Sequence, residues 1–160
     1  MRPITGLIFG LTLCLWGWTV SAFEVSPMRV VMGASGSQSQ TLIRVSNTTD
    51  ELLPIEVTIK RRTVATNGEQ SFEPDGRHFT VFPPQALVQP GQVQAFRIQY
   101  IGPPELATSE SYVASVTQLP VQRAGEDGVI VVYSFGVALY VVPPGATEDP
   151  VLVEASSTPG

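Results

Sequence analysis

Cysteine and histidine are almost absent from this sequence, which contains one of each, Cys14 and His78. A single cysteine cannot form an intramolecular disulfide, and neither residue type is present in the number that a zinc site requires. A lone histidine is more often structural or solvated than a metal ligand or a catalytic base. These two scarcities argue against thiol, metal-dependent and histidine-dependent enzymes.

Positive charge is also scarce, with 9 lysines and arginines against 14 aspartates and glutamates and a formal net charge of −5. A nucleic-acid-binding domain would call for a basic patch, so we expect no nucleic acid among the partners. The sequence also lacks the G-x-S-x-G motif and the P-loop glycine pattern. We therefore expect a protein that is not an enzyme and that needs no cofactor.

Residues 1–22, MRPITGLIFGLTLCLWGWTVSA, have the organisation of a cleavable export signal. Arg2 gives a short basic start, an apolar run follows, and two small residues at its end suit cleavage before Phe23. The run is short for a membrane-spanning helix, and Leu13 is too bulky to precede a lipidated Cys14. Cleavage leaves 138 residues without cysteine and a net charge of about −6, because Arg2 is the only charged residue removed. We expect no membrane insertion after cleavage.

Helical periodicity is also missing, and alternation of apolar and polar residues dominates instead. Turn residues separate the alternating runs, and most of the 14 prolines and 14 glycines fall between them. The predicted strands lie in seven segments: 23–32, 41–47, 54–64, 78–84, 91–102, 110–120 and 129–142. Their number and spacing predict an all-β, immunoglobulin-like β-sandwich of about seven strands in residues 23–145.

Residues 146–160 begin as a polar linker and continue with VLVEA, which reads as the start of another strand. A single strand after a linker has nothing to pair with. We expect that it either folds back on the sandwich or opens a second domain that is missing or truncated.

The last predicted strand, 129–142, is unusual because apolar residues occupy both of its faces. Only Ser134 and Gly136 interrupt the run, and its fourteen residues are too few to cross a bilayer as a helix. A half-exposed strand would alternate apolar and polar residues. The run therefore raises the question of what covers its second face.

Two basic features are candidates for binding. Arg29 lies within the first apolar strand, where it must reach water or bind an anion, because leaving it buried and unpaired is costly. Lys60, Arg61 and Arg62 form a basic cluster at a strand end, for which a solvated face is the favoured interpretation.

Five segments, in order and in register, resemble the periplasmic chaperones of the chaperone–usher pilus pathway. They are FEVSPMRVVM, RVSNTTDELLPIEVTI, FTVFPPQALVQPGQVQAFRIQYIG, SESYVASVTQLPV and FGVALYVVPPG. The wording of PPQALVQPGQVQAFRIQY is most similar to the archaic, Csu-type branch. The chain resembles the N-terminal domain of a PapD-like chaperone, with VLVEA as the first strand of the second domain.

The resemblance implies a chaperone in the periplasm of a Gram-negative bacterium. It binds pilus subunits by donor-strand complementation and delivers them to an outer-membrane usher. The alignment counted back from Pro143 assigns the groove-facing side chains to Val129, Val131, Tyr133 and Phe135. The opposite face, with Ile130 and Val132, is then expected to face the chaperone's own core. The parity stays open from one sequence, because a slip of one residue exchanges the faces.

An exposed apolar strand edge is an aggregation hazard before a subunit arrives. A homodimer in which two copies cover each other's edge is therefore a further expectation.

The resemblance also implies a basic pair that holds the subunit's C-terminal carboxylate. Arg29 matches the arginine of this pair, and a guanidinium suits bidentate binding of a carboxylate. The place of the lysine falls at Ala138, so half of the pair is missing. Arg97 or a residue of the second domain is a candidate substitute. Val113 departs from the family in the same way, because archaic members often have arginine there.

Two other classes of protein remain as alternatives. A structural pilus subunit suits the length and the export signal, but such subunits usually have a disulfide and a long alternating N-terminal donor segment. Another exported immunoglobulin-like binding module, or an exported enzyme, has only His78 and scattered carboxylates in its favour.

Overall fold

The computed structural model describes residues 23–120 and 131–146. These residues form ten β-strands and one short 3-10 helix, Gly36–Ser39. The strands are β1 (Glu24–Ser26), β2 (Arg29–Gly33), β3 (Gln40–Ser46), β4 (Leu53–Val64), β5 (Gln70–Pro74), β6 (Phe79–Phe82), β7 (Gln85–Val88), β8 (Val93–Tyr100), β9 (Glu110–Gln118) and β10 (Ser134–Val142).

The strands form two sheets packed as a sandwich. One sheet has the order β1-β3-β8-β6, and the other has the order β2-β10-β9-β4-β5, with β7 also paired to β4. All pairs are antiparallel except β2 with β10, which run parallel. The predicted all-β, immunoglobulin-like sandwich is confirmed.

All seven predicted strands are present, but the first of them is divided between the two sheets. The division falls at Pro27, which follows a cis peptide bond. β1 before it pairs with β3, and β2 after it pairs with β10. Proline has no backbone N–H to donate to a sheet, which suits a place where the chain leaves one sheet for the other. Two strands, β5 and β7, were not predicted, because neither alternates clearly and two prolines precede β7.

The core is formed by every second residue of the long strands, as the alternation predicts. Residues without any exposed surface include Ile43 and Val45 of β3, Phe96 and Ile98 of β8, Tyr112, Ala114 and Val116 of β9, and Val137, Leu139 and Val141 of β10. Each large apolar side chain buried in this way contributes roughly 1.5–3 kcal/mol. The sandwich thus has an apolar interior that the sequence pattern located correctly.

Asn47 is a buried polar residue that ties one end of the sandwich together. Its amide donates to the backbone oxygens of Glu51, at 2.7 Å, and Val88, at 3.0 Å. Its side-chain oxygen accepts hydrogen bonds from the Thr49 backbone N–H and hydroxyl. Although Asn47-Thr48-Thr49 matches a glycosylation sequon, the Asn47 amide is fully buried and engaged in these bonds. The residue is structural.

We expect Asn47→Ala to lower the stability by about 3 kcal/mol, roughly a 10 °C fall in the melting temperature, because it removes the donor to the buried Val88 oxygen and the acceptor of both Thr49 bonds. Asn67→Ala is the matched control, since Asn67 makes a similar bond to the Glu69 backbone N–H in an exposed turn. Thermal unfolding followed by circular dichroism measures both. Equal small losses for the two variants would contradict the structural role of Asn47.

Candidate functional site

The residues immediately before β10 expose apolar side chains. Val131 is 61% exposed, and Val132 and Tyr133 are each 44% exposed. The Gln118 backbone N–H donates to the Tyr133 oxygen at 2.9 Å, so this segment continues the β9–β10 pairing. Tyr133 also lines a shallow pocket with Phe23 and Leu52 at this end of the sandwich. The apolar side chains just before β10 are therefore exposed to solvent, and the Tyr133 backbone is bonded to β9.

One backbone edge of β10 is paired over only part of its length. β9 pairs with Ser134 through Val141, whereas β2 on the other side pairs only with Ala138 through Val142. The chain before β2 crosses to the other sheet at Pro27, so β2 does not extend along residues 134–137. Within the described residues, this stretch of β10 has strand pairing on one side only. An edge of this type can accept another strand.

The two faces of β10 differ from the expectation. Odd-numbered Val137, Leu139 and Val141 are fully buried in the domain's own core. The expectation that even-numbered Val132 faces this core is wrong, because the side chain is 44% exposed. The odd-numbered side chains therefore differ along the chain. Those from Val137 to Val141 lie in the domain's own core, whereas Val131 and Tyr133 are exposed.

Phe135 lies at the boundary between these two parts. Its ring packs edge-on against Phe23, with centroids 4.8 Å apart, and it is half-buried against the core. Phe135 therefore contacts the domain's own core in the free protein, and its assignment to the subunit groove stays a prediction. Val131 and Tyr133 are exposed as the assignment requires, whereas Val129 and Ile130 lie outside the described residues. The roles of Val129, Val131 and Tyr133 in subunit binding stay predictions.

Arg29 begins β2 on the outer face of the six-stranded sheet. Its neighbour Val30 packs against the core and Met32 is buried, so the alternation of the strand turns Arg29 outward. Its guanidinium carbon lies 5.4 Å from the centre of the Tyr140 ring, a distance typical of a cation–π contact. Arg29 therefore has the exposure that an anion-binding residue needs.

Ala138, at the place of the family's lysine, lies directly beside Arg29 in the strand register. Arg97 does not replace that lysine, because it lies on β8 of the other sheet, paired with Leu42 and Phe82. This candidate substitute from the sequence is wrong. The second domain lies outside the described residues.

The basic cluster at the end of β4 is divided by the alternation of the strand. Lys60 and Arg62 lie on the outer face with Arg29, whereas Arg61 turns to the inner side. Arg62 donates to the Ser111 hydroxyl at 3.0 Å and to the Tyr140 hydroxyl at 3.1 Å. All three residues are half-buried. The favoured interpretation of the cluster as a solvated face is therefore wrong.

Arg61 belongs to a polar cluster at the inner edge of the sandwich. It donates to Glu110 at 2.8 Å and to the Tyr112 hydroxyl at 2.9 Å, and that hydroxyl donates to Glu110. Burial alone would raise the pKa of Glu110, but the hydrogen bonds from Tyr112 and Arg61 hold this pKa below its usual range. Burial, together with the bond to Glu110, raises the pKa of Tyr112.

His78 contacts Asp75 and Tyr100. Its ring nitrogen lies 2.7 Å from a carboxylate oxygen of Asp75, and the ring stacks against Tyr100. Burial opposes ionisation of Asp75, but the bonds from His78 and Arg77 outweigh it and lower its pKa. No group of His, Cys, Asp and Glu within 23–120 and 131–146 has a metal-binding arrangement. In the same residues no helix is long and apolar enough to span a membrane.

The lowered pKa values of Glu110 and Asp75 predict loss of stability in acid. A carboxyl group with a lowered pKa stabilises the fold fully above its unfolded value, 4.5 for Glu110. That contribution is lost as the pH falls through the folded-state pKa. We expect the melting temperature to fall below about pH 4.5, and to fall less steeply in Glu110→Gln.

Glu105→Gln, in the exposed loop before β9, is the control for this pH dependence. Its melting temperature should follow that of the unmodified protein at every pH. Parallel pH profiles of Glu110→Gln and the unmodified protein would contradict the assignment to Glu110.

Most of the chain matches one known protein family. Residues 22–146 match the family described as pili and flagellar-assembly chaperone, PapD N-terminal domain. The chain belongs to this family. The match covers most of the sequence, and the predicted family is confirmed.

Solved structures of fimbrial chaperones share the fold of this family member at low sequence identity. A chaperone–tip adhesin complex of CFA/I fimbriae matches with a TM-score of 0.63 and 14% identity, over 77% of this chain and 56% of that one. The CsuC–CsuE complex from the archaic Csu pili of Acinetobacter baumannii matches with a TM-score of 0.61 and 16% identity, over 80% and 62%. The E. coli chaperone DraB matches with a TM-score of 0.58 and 20% identity, over 79% and 58%.

The chain spans about three fifths or less of the length of these solved chaperones. No curated protein matches it. The shared fold is that of the N-terminal domain, and the proposed export signal and the VLVEA segment lie outside the described residues.

Tyr140 and the outward pair Lys60 and Arg62 lie near Arg29, and the sequence pattern did not predict these neighbours. The alternation of β4 indicates that Lys60 and Arg62 share a face. It does not indicate which strands separate β4 from β2, and this depends on the order of the sheet.

Proposed function

We propose that this pilus-chaperone family member is a periplasmic assembly chaperone that binds pilus subunits by donor-strand complementation and delivers them to an outer-membrane usher. The observation that carries the proposal is the segment 131–137, in which the exposed apolar side chains of 131–133 lead into the part of β10, 134–137, that is paired on one side only. A subunit that lacks one strand of its own sandwich has the complementary need. It requires both a hydrogen-bonding strand and apolar side chains for its open core.

In this mechanism the exposed segment supplies both. Val131 and Tyr133, with Val129 before them, enter the apolar groove of the subunit, and Phe135 marks where the host's own core begins. Burial of each such side chain contributes roughly 1.5–3 kcal/mol. The backbone edge pairs with the subunit's edge strands at the same time. Release to the usher then requires only exchange for a better-fitting strand, so the proposal needs no cofactor.

Arg29 binds the subunit's C-terminal carboxylate in the same complex. It lies on β2 beside Ala138, the first residue at which β2 covers β10. The carboxylate contact therefore fixes where along β10 the subunit begins. Before capture, two copies of the chaperone cover each other's exposed segment as a homodimer.

Co-expression with an exported pilus subunit tests the proposal. We expect a stable one-to-one complex in the periplasm, seen by affinity purification and size-exclusion chromatography. If the chain is instead a structural subunit, it polymerises or requires a chaperone itself. If it is another exported binding module, it does neither, and the absence of a complex would refute the proposal.

A further inference from the structure

Three cationic side chains lie on one region of the outer face of the six-stranded sheet, although they come from strands far apart in sequence. Arg29 of β2 pairs with Ala138 of β10, Ala138 pairs with Val113 of β9, and Val113 pairs with Lys60 of β4. These four residues therefore form one row across the sheet, with a cation at each end. The two positions between them carry short side chains without charge.

The neighbouring row brings the third cation to the same place. Tyr140 pairs with Ser111, and Arg62 donates a hydrogen bond to the Ser111 hydroxyl. The guanidinium carbons of Arg29 and Arg62 lie 5.4 and 5.6 Å from the centre of the Tyr140 ring. They are thus no more than 11.0 Å apart, the sum of these two distances.

This upper limit is compatible with an anion that the two guanidinium groups share. A carboxylate that accepts hydrogen bonds of about 2.8 Å from two arginines bridges roughly 7–8 Å between the guanidinium carbons. The Tyr140 hydroxyl accepts a hydrogen bond from Arg62, so its own proton is available to donate to the same anion. The short side chains of Ala138 and Val113 leave room for the anion to approach the sheet.

We infer that Lys60 and Arg62 of β4, with the Tyr140 hydroxyl, complete the carboxylate site of Arg29. The second cation of this chaperone therefore comes from β4 and not from β10. The occupant is the terminal carboxylate of an extended polypeptide, which lies along the sheet face between Arg29 and Arg62. The inference rests on the proposed function for the identity of that polypeptide, but its chemistry can be tested separately.

The first test compares two double variants that remove the same charge in capture of a co-expressed pilus subunit. Lys60→Gln with Arg62→Gln changes the outer face of the six-stranded sheet. Arg44→Gln with Arg97→Gln changes the outer face of the other sheet, where both arginines are exposed. We expect at least about a 10-fold loss of capture for the β4 pair, from lost charge-assisted hydrogen bonds, and no loss for the control pair.

A rescue variant separates a binding role from a structural one. Ala138→Lys places a cation beside Arg29, at the position that the family's lysine occupies. In the background of Lys60→Gln and Arg62→Gln, we expect it to restore most of the capture. Melting temperatures of all variants measure any damage to the fold. Arg62→Lys keeps the charge and should retain capture better than Arg62→Gln.

The second test uses a defined probe, a six-residue acetylated peptide of alternating valine and threonine, with either a free C-terminal carboxylate or a C-terminal amide. We expect carboxylate-dependent NMR shifts at Arg29, Lys60, Arg62 and Tyr140, which the amide peptide does not cause. Inorganic phosphate is a separate arm, and equal shifts with phosphate alone would show a site without preference for a polypeptide terminus and would overturn the inference.

The two tests distinguish the inference from the proposed function. If the unmodified protein captures a subunit and the β4 double variant captures it equally well, the inference is wrong and the chaperone function stands. If no subunit is captured but the carboxylate peptide shifts Lys60 and Arg62, the proposed function fails and the site remains. If carboxylate-dependent shifts are missing at Lys60 and Arg62, the site is wrong.

Discussion

Val131→Asp and Tyr133→Asp are each expected to abolish capture of a pilus subunit while leaving the isolated domain folded. Both side chains are exposed before binding, 61% and 44% respectively, so aspartate remains solvated in the free protein. In the complex the same carboxylate would enter an apolar groove without a partner. We expect a penalty of more than about 4 kcal/mol, roughly a 1,000-fold loss of affinity.

Periplasmic co-expression and purification of the complex measure the loss, and thermal unfolding of the free domain measures its stability. Val93→Asp is the matched control, since Val93 is 58% exposed on β8, away from the β10 edge, and it should leave capture unchanged. Val137→Asp is the opposite control, because Val137 is fully buried and the variant should unfold. Normal capture by both exposed-site variants would remove this segment from the interface.

Arg29→Ala is expected to lower subunit capture by about 100-fold, or about 3 kcal/mol, with little change in the melting temperature. The large effect on binding follows because the variant leaves the subunit's carboxylate without its principal guanidinium donor in the complex. The small effect on folding follows because Arg29 is exposed on the outer face and contacts the Tyr140 ring from outside. Exposed cation–π contacts of this type contribute only about 0.5–1 kcal/mol.

Isothermal titration or competition between chaperone variants for one subunit measures this change. Arg97→Ala provides the comparison, because it removes the same side chain from the exposed face of the other sheet. It should bind the subunit as the unmodified protein does. An equal loss in both variants would mean that general charge, and not a carboxylate site at Arg29, governs binding.

Strands β4 and β8 show how much of the fold could be predicted from the sequence. β4 alternates Ile55, Val57 and Ile59 with polar residues, and the structure buries these three side chains against the core. β8 alternates in the same way, and Phe96 and Ile98 have no exposed surface. Local patterning sufficed here because a strand with one covered face has only one way to bury its apolar set.

The candidate site was predicted less completely. Arg29 was identified from a charge within an apolar strand. The resemblance to pilus chaperones supplied its carboxylate role and the assignment of Val131 and Tyr133. The boundary between the exposed and the core-buried odd-numbered side chains was not predictable. Apolar residues on both faces give no indication of where the opposite sheet ends. Phe23 decides this point by covering Phe135.

The sequence by itself determined the sandwich and the positions of its long strands, because alternation along each strand is a local property. The family followed from the resemblance of five segments to pilus chaperones. Only the tertiary structure decided that Arg29, Lys60 and Arg62 share one face and that Arg97 lies on the other sheet. Those neighbours are set by the order and register of strands that are distant in the chain. No local pattern contains that order, since it follows from how the two sheets close around a common core.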